Sequence, residues 1–201
     1  MHTIATPRTH SENEHAIVAL LSGECLRQAT ALQRQLKNLF GDCLWLQEPP
    51  SLHITLMEII CDADYGGQSR RELFRQWHAQ YGEVTKKLLA RVPPFDLVFD
   101  QLLVSQRAII IKTRHSDELN KIRALLLANI QLPHGTKNPP DITHATLARF
   151  NQPLDLAHVN QQVARLGIAT TQHVAEFSLV KDLGPPTFNG TPLERYRLTG
   201  L

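Results

Sequence analysis

Two hydrophobic periodicities alternate along this chain. In residues 15–21 a continuous run of apolar, β-favouring side chains predicts a buried strand. Between Cys25 and Phe40 apolar residues recur at every third or fourth position, which predicts an amphipathic helix. Ser22 lies where the N-cap of that helix is expected, and Gly41 lies where such a helix ends. The patterned part of the chain therefore starts with a strand that is followed by a helix.

The same two patterns predict the elements that follow. Further strands are expected at 43–46, 52–60, 95–100, 108–111, 142–150, 173–180 and 193–198, and helices at 69–90, 116–130 and 156–166. Ser69 and Ser116 are the expected N-caps of the first two of these helices. Several strands are joined by short turns, such as Asn189-Gly190, and so form hairpins. The pattern favours an α+β fold with mixed or antiparallel sheets over a doubly wound parallel sheet.

Length and charge limit the class of protein. A chain of 201 residues suffices for one domain with a sizeable core, so we expect a flexible N-terminal arm at 1–14 and a single domain at 15–201. The formal net charge is +2 at pH 7, from 21 Lys and Arg against 19 Asp and Glu. This balance argues against a protein that coats a long polyanion, but it permits a short anionic ligand.

Cysteine content and hydropathy indicate the compartment. Cys25, Cys43 and Cys61 are odd in number and lack metal-type spacing, which argues against a disulfide framework and against a zinc ribbon. No apolar run approaches the length of a membrane span, and residues 1–14 lack the apolar segment of a secretory signal. We therefore expect a cytoplasmic protein with no membrane association, no metal and no cofactor.

One faint internal repeat carries candidate chemistry. Residues 49–56 and 139–147 each contain a double proline, a short gap and then His-x-Thr-Leu on a predicted strand. The gap differs by one residue between the two copies. A single His-x-Thr on a strand is weak evidence, but two such copies in one chain rarely arise by chance. The repeat indicates two related lobes, each of which carries one motif.

The two motifs suit phosphoester chemistry. Side chains two apart on a strand point to the same face, so His53 lies beside Thr55 and His144 beside Thr146. If the two strands are neighbours about a pseudo-twofold axis, one groove presents two imidazoles and two hydroxyls. One imidazole then acts as base and the other as acid in an in-line displacement at phosphorus. The threonine hydroxyls donate to the non-bridging phosphate oxygens.

These motifs resemble those of the 2H phosphoesterases, the LigT-like group of 2′,5′ RNA ligases and cyclic nucleotide phosphodiesterases. The resemblance covers about 15–201 and includes residues 144–149, which are similar to the His-x-Thr-Leu-x-Arg form of RNA-acting members. It implies a bilobal α+β fold around a central groove and a metal-free site that acts on 2′,3′-cyclic or related phosphates. By the same analogy, His144 would activate water and His53 would protonate the leaving oxygen, although the residues alone allow either assignment.

The first motif departs from the pattern of the family. Residues 57–60 are Met-Glu-Ile-Ile, where many LigT-like members have a Phe-Leu-Gly type of ending. A long predicted helix, 69–90, separates this motif from the next hairpin. The chain is therefore expected to be a divergent branch, whose substrate does not follow from the RNA-acting members.

Two further residues are candidates for substrate binding. The resemblance implies that Arg149 holds a substrate phosphate, whereas strand alternation places position 149 out of phase with His144. Glu58 is out of phase with His53 in the same way, which favours a solvated or ion-paired carboxylate. Tyr196 lies on the closing strand, where it borders the groove or belongs to the core or rim.

Other aromatic and basic residues are expected to be structural. Trp45 and Trp77 fit the core better than a base-stacking platform. Lys112, Arg114 and His115 form a short basic cluster that either guides RNA or is a solvated strand end.

Three functions remain open at this point. The first is a phosphodiesterase that hydrolyses a cyclic phosphate on an RNA end or a nucleotide. The second is an RNA end-joining enzyme, or a nucleotide-binding module, on the same scaffold. The third is a structural or partner-binding protein in which the histidines are incidental. The sequence does not determine the natural substrate, the phosphate isomer released or the oligomeric state.

Overall fold

The computed structural model describes residues 1–5, 13–61, 63–113, 117–136, 142–181 and 190–201. The strands are β1 (His15–Leu20), β2 (Leu44–Leu46), β3 (His53–Ile60), β4 (Phe95–Val104), β5 (Ala108–Thr113), β6 (His144–Phe150), β7 (Thr170–Val174), β8 (Glu176–Lys181) and β9 (Thr191–Arg197). The helices are α1 (Gly23–Phe40), α2 (Arg70–Ala90), α3 (Asp117–Leu127) and α4 (Leu156–Val163). The prediction of an α+β fold is confirmed.

The ends of the first two helices follow from local chemistry. Helix α1 ends at Gly41, whose φ of 55° lies in the left-handed region that glycine adopts without a steric penalty. Its backbone N–H donates to the Lys37 carbonyl. At the start of α2 the Ser69 side chain accepts a hydrogen bond from the Glu72 backbone N–H at 3.5 Å, as the capping pattern predicts.

All strands belong to one antiparallel sheet. Eight of them follow the order β7-β4-β5-β6-β3-β1-β8-β9, and β2 pairs with β6. We call β1, β3, β8 and β9 the first lobe, and β4, β5, β6 and β7, with β2 at the edge of β6, the second lobe. The lobes meet where β3 pairs with β6, through Ile54 opposite Ala145. Four strands of this order lie on each side of the seam, which gives the pseudo-twofold arrangement of a bilobal fold.

One predicted strand is in fact two. The sequence predicted a single strand at 173–180, whereas the chain forms β7 and β8, which are separated at Ala175. Strand β7 pairs with β4 of the second lobe, and β8 pairs with β1 and β9 of the first lobe. The prediction was wrong because the apolar alternation runs through the point at which the chain crosses between lobes.

The helices cover the face of the sheet that is opposite to the motif histidines. Helices α1 and α4 pack on the second lobe, whereas α2 and α3 pack on the first. The hydrophobic core lies between these helices and the sheet, and it includes Ile54, Leu56, Ala145 and Leu147, all of which are fully buried. Helix α1 follows a strand of the first lobe and α3 follows a strand of the second, so each of these helices backs the other lobe.

The beginning of the chain lies against the second lobe. The backbone N–H of Thr3 donates to the Leu154 carbonyl at 2.7 Å, and that of Ile4 donates to the Gln106 carbonyl at 2.6 Å. Because one sheet includes strands from His15 to Arg197, we propose that 15–201 form a single domain. In the part of the chain that the structure describes, no helix is both long and apolar enough to cross a bilayer.

Some predicted features lie outside the described residues. They are most of the predicted N-terminal arm (6–12), the helix cap Ser116, the basic residues Arg114 and His115, the second double proline (Pro139 and Pro140) and the first residue of the Asn189-Gly190 turn.

Candidate active site

The two motifs lie side by side, on neighbouring strands. Ile54 and Ala145, which are the middle residues of the two His-x-Thr sequences, are direct partners in the antiparallel ladder. Both of these side chains are fully buried in the core below the sheet. Because successive side chains of a strand alternate, the flanking histidines and threonines project from the opposite face into one groove. The structure therefore brings together the four residues of the predicted site.

Each histidine is oriented by a carbonyl two residues before it. Nδ1 of His53 lies 2.8 Å from the Ser51 carbonyl oxygen, and Nδ1 of His144 lies 3.2 Å from that of Ile142. Since a carbonyl oxygen only accepts hydrogen bonds, Nδ1 carries the proton in each ring, and Nε2 is the nitrogen that can exchange a proton with a substrate. The two imidazoles are thus held in the same tautomer by the same local contact.

A buried amide makes the two histidines different. The Gln47 side chain contacts His53, with its Nε2 3.1 Å from Nδ1 of that ring. The same Nε2 donates to the Ser51 carbonyl at 2.6 Å, so Gln47 and His53 share one acceptor. Gln47 is itself buried. Because Nδ1 of His53 also carries a hydrogen, the two groups are neighbouring donors to the Ser51 carbonyl and not hydrogen-bond partners of each other.

Burial and positive charge keep both imidazoles neutral. Burial is the main cause that lowers the pKa of His53, and the charges of Arg149 and of His144 in its protonated form lower it further. Burial also lowers the pKa of His144, with additional contributions from Arg149 and Arg123. The carbonyl hydrogen bonds of both rings oppose these shifts only in part. A bound anion would therefore raise the pKa of the nearby imidazoles and favour protonation of one ring.

A β-bulge in each motif changes the face on which the following residues lie. In β3, Thr55 pairs with Val18 and Met57 pairs with Ile17, so Leu56 is an extra residue. In β6, Thr146 pairs with Ile110 and the second residue after it, Ala148, pairs with Ile109, so Leu147 is the extra residue there. Both extra leucines remain buried in the core. The bulges occur at equivalent positions, and each shifts the alternation of the side chains that follow it by one residue.

The bulge brings Arg149 to the groove. Arg149 pairs with Ala108, and Thr146 pairs with Ile110, which is two residues further along β5. Directly paired residues share a face, so Arg149 lies on the same face as His144 and Thr146. Its positive charge acts on both histidines. The expectation from strict alternation was therefore wrong for this residue.

Glu58 reaches the groove face in the same way. It pairs with Ala16, two residues from Val18, which pairs with Thr55. Glu58 is half-buried and is the counterpart of Arg149 across the pseudo-twofold axis. The sequence carried a signal for both positions, because two adjacent apolar residues (Leu56-Met57 and Leu147-Ala148) interrupt the alternation.

Trp45 and Lys112 also lie on this face. Trp45 pairs with Arg149 through the β2–β6 ladder, and it is half-buried rather than part of the main core. Lys112 pairs with His144. The expectation that Trp45 belongs to the core was wrong, because β2 borders the groove where β3 has diverged from β6.

Two buried polar side chains secure the motif strands where they part. Arg123 of α3 donates to the Thr55 carbonyl at 2.8 Å and to the Leu56 carbonyl at 3.0 Å. Gln33 of α1 donates to the Leu147 carbonyl at 2.8 Å. Leu56 and Leu147 are the bulged residues, so each bulge has one carbonyl bound by a helix side chain. Arg123 and Gln33 are both almost fully buried.

Tyr196 does not lie in the groove. It pairs with Phe177, and both rings are buried in the core on the helix side of the sheet. Burial raises the pKa of its hydroxyl, so the group is neutral. Of the two candidate substrate-binding residues, the structure places Arg149 beside the histidines and Tyr196 away from them.

The described residues contain no cluster of three or more His, Cys, Asp or Glu side chains that could hold a metal ion. Cys25, Cys43 and Cys61 are free thiols.

The fold defined by this seam and its two lobes is that of the 2H phosphoesterases, which confirms the resemblance at the level of the fold. TT0787 of Thermus thermophilus superposes with a TM-score of 0.64 at 18% identity, over 93% of this chain and 98% of that one. LigT of E. coli in its apo form gives 0.60 at 17% identity, over 94% and 99% of the two chains. The MHV ns2 PDE domain gives 0.52 at 19% identity, over 85% and 99%. No protein-family model and no curated protein matches the sequence.

Proposed function

We propose that this protein is a metal-independent phosphodiesterase that opens a 2′,3′-cyclic or related phosphate on an RNA end or a nucleotide. The observation that supports the proposal is the pairing of Ile54 with Ala145, which sets the two His-x-Thr motifs side by side on neighbouring strands. Two imidazoles held in the same tautomer supply a base and an acid. E. coli LigT, which has this fold, has been solved with 3′-AMP, with phosphate and with ATP.

The residues of the groove account for each part of the displacement. The oxygen of water forms a bond to phosphorus while the bond from phosphorus to a ribose oxygen breaks. One neutral imidazole takes the proton of the water at Nε2. The other, protonated to imidazolium when the phosphate binds, gives its Nε2 proton to the ribose oxygen. By the resemblance, His144 is the base and His53 is the acid. Thr55, Thr146 and the guanidinium of Arg149 stabilise the charge on the non-bridging oxygens.

The direct test is hydrolysis of a panel of 2′,3′-cyclic mononucleotides in EDTA. We expect turnover to survive chelation and to be lost in His144→Ala. His158→Ala is the matched control, because His158 is exposed on α4, away from the groove. Its turnover is expected to equal that of the wild type. Turnover that disappears on chelation, or that persists in His144→Ala, would contradict the proposal.

The pH profile gives a second test. Since a free imidazole normally has a pKa of about 6.5 and both pKa values are lowered in the fold, we expect kcat/KM to be bell-shaped with its maximum below about 6.5. Bound phosphate raises both values, so the profile of kcat should lie at higher pH than that of kcat/KM. In Arg149→Gln the loss of a nearby positive charge should shift both limbs of kcat/KM upward. A maximum above pH 7 in the wild type would contradict this expectation.

A further inference from the structure

Equivalent positions of the two lobes carry different side chains beside the histidines. In the second lobe, Lys112 of β5 is the ladder partner of His144. In the first lobe, the partner of His53 is Leu20 of β1. An ammonium group and an isobutyl group therefore occupy positions that the pseudo-twofold axis relates. The second lobe offers a charge to an anion where the first lobe offers none.

The contrast is stronger at the residues that follow the bulges. Arg149 of the second lobe and Glu58 of the first lobe are counterparts, and both lie on the groove face. Glu58 is paired with the small residue Ala16, whereas Arg149 lies between Ala108 on β5 and Trp45 on β2. The axis passes between Ile54 and Ala145, which places the two charges on opposite sides of the histidine pair. The guanidinium of Arg149 therefore lies on one side of the histidine pair, where the charges of Arg107 and Glu14 also act on it, and the carboxylate of Glu58 lies on the other.

The second lobe alone has an aromatic side chain at this position. Trp45 lies beside Arg149 because β2 extends the sheet there. On the other side of the seam the equivalent space along β3 is occupied by Arg123 of α3, which binds the Thr55 and Leu56 carbonyls. Indole rings stack on nucleobases, and guanidinium groups bind phosphate. This combination fits a nucleotide on the second lobe.

We propose that the groove is one-sided: the second lobe holds the nucleotide that carries the reacting phosphate, and Glu58 admits water while it excludes a second polynucleotide strand. This inference rests on the proposed phosphodiesterase activity. Within that substrate class it disfavours RNA that continues as a strand on both sides of the reacting phosphate. It also makes hydrolysis, rather than end joining, the preferred reaction.

Hydrolysis needs only water at the first lobe, whereas end joining and internal cleavage need a second strand there. End joining is the same displacement with a 5′-hydroxyl of a second strand in place of water. That hydroxyl oxygen bonds to phosphorus, its proton goes to the base, and the ribose oxygen leaves with the proton of the acid. Cleavage of an internal 2′,5′-diester is the reverse step. With the nucleotide on the second lobe, the second strand of either reaction would extend along the first lobe. Its phosphates would there meet the carboxylate of Glu58, and like charges repel.

The test compares two oligonucleotides of one sequence. One ends in a 2′,3′-cyclic phosphate, and the other contains a single internal 2′,5′ linkage. We would measure kcat/KM for both, in EDTA, with the wild type, Glu58→Gln and Glu58→Arg. Glu83→Arg is the control for net charge, because Glu83 is exposed on α2, on the helix side of the sheet. Trp45→Ala tests the stacking surface on the second lobe.

The expected result is a change in preference. The wild type should favour the cyclic end, and the ratio of internal to terminal cleavage should rise about tenfold in Glu58→Gln and further in Glu58→Arg. Glu83→Arg should leave the ratio unchanged. Trp45→Ala should raise KM about tenfold or more for both oligonucleotides with a smaller effect on kcat.

A ratio that stays within about twofold of the wild type in both Glu58 variants would overturn the inference but not the proposed function. A wild type without turnover on either oligonucleotide would instead overturn the proposed function. In that case binding of the same oligonucleotides decides the inference, because Glu58→Arg should tighten only the internally linked strand. Equal tightening of both oligonucleotides, or of neither, would overturn it.

Discussion

His53→Ala and His144→Ala are each expected to lower kcat/KM for a 2′,3′-cyclic phosphate by about a hundredfold to ten-thousandfold, which is the usual contribution of a positioned acid or base. The reason is that both imidazoles act in one displacement, so each variant lacks one of the two proton-transfer groups. Replacement by alanine removes the imidazole and its one hydrogen bond to a carbonyl. We expect the strand on which the residue lies to keep its pairing. Circular dichroism would verify that both variants fold.

A change of leaving group separates the two roles. With a nucleoside phosphodiester whose leaving group is nitrophenolate, departure needs little help from an acid. If His53 is the acid, His53→Ala should recover most of its activity on this ester, whereas His144→Ala should remain impaired. The opposite result would exchange the roles of the two residues. Equal recovery in both variants, or loss of less than about tenfold on the cyclic substrate, would contradict two-histidine catalysis.

Arg123→Ala is expected to have the largest effect on stability. The side chain is 5% exposed and donates to the Thr55 and Leu56 carbonyls, so its removal leaves two carbonyls of the first motif strand buried without these donors. We expect a loss of about 3 kcal/mol in the free energy of unfolding, since each unsatisfied buried group costs roughly 1–3 kcal/mol. Urea unfolding at pH 7 measures this loss. Activity should also fall, because Thr55 lies on the strand segment that Arg123 holds.

Matched variants isolate the cause of this effect. Lys121→Ala changes an exposed residue of the same helix and should alter the free energy of unfolding by less than about 0.5 kcal/mol. Gln33→Ala removes the neutral counterpart on α1 and should cost about 2 kcal/mol, from the Gln47 and Leu147 carbonyls that its amide binds. A loss of less than about 1 kcal/mol in Arg123→Ala would show that water replaces the guanidinium at these carbonyls.

The sequence predicted the features that depend on local alternation. The faces of His53, Thr55, His144 and Thr146 follow from the period of a strand, and the helix limits follow from caps such as Gly41. The role of these four residues in catalysis stays a prediction. The pairing of the two motif strands was assumed in the sequence analysis and was not predicted by it.

What the sequence could not predict depends on contacts between distant segments. The orientation of Arg149 and Glu58 required the bulges at Leu147 and Leu56, which are defined by the partner strands and not by the motif. The position of Trp45 depends on where β3 leaves the edge of β6. The crossing at Ala175 lies within an unbroken pattern, so no local signal marked it.

The exchange of helices between the lobes has a consequence for how the groove can open. Among the residues that the structure describes, one ladder pair joins β3 to β6, which by itself would form a weak hinge. However, α1 leaves a strand of the first lobe to cover the second, and α3 leaves a strand of the second to cover the first. The lobes cannot separate without pulling both helices from their cores. The backbone amides of the motif strands should therefore exchange with deuterium only through global unfolding, and neither lobe should persist alone as a partly folded unit.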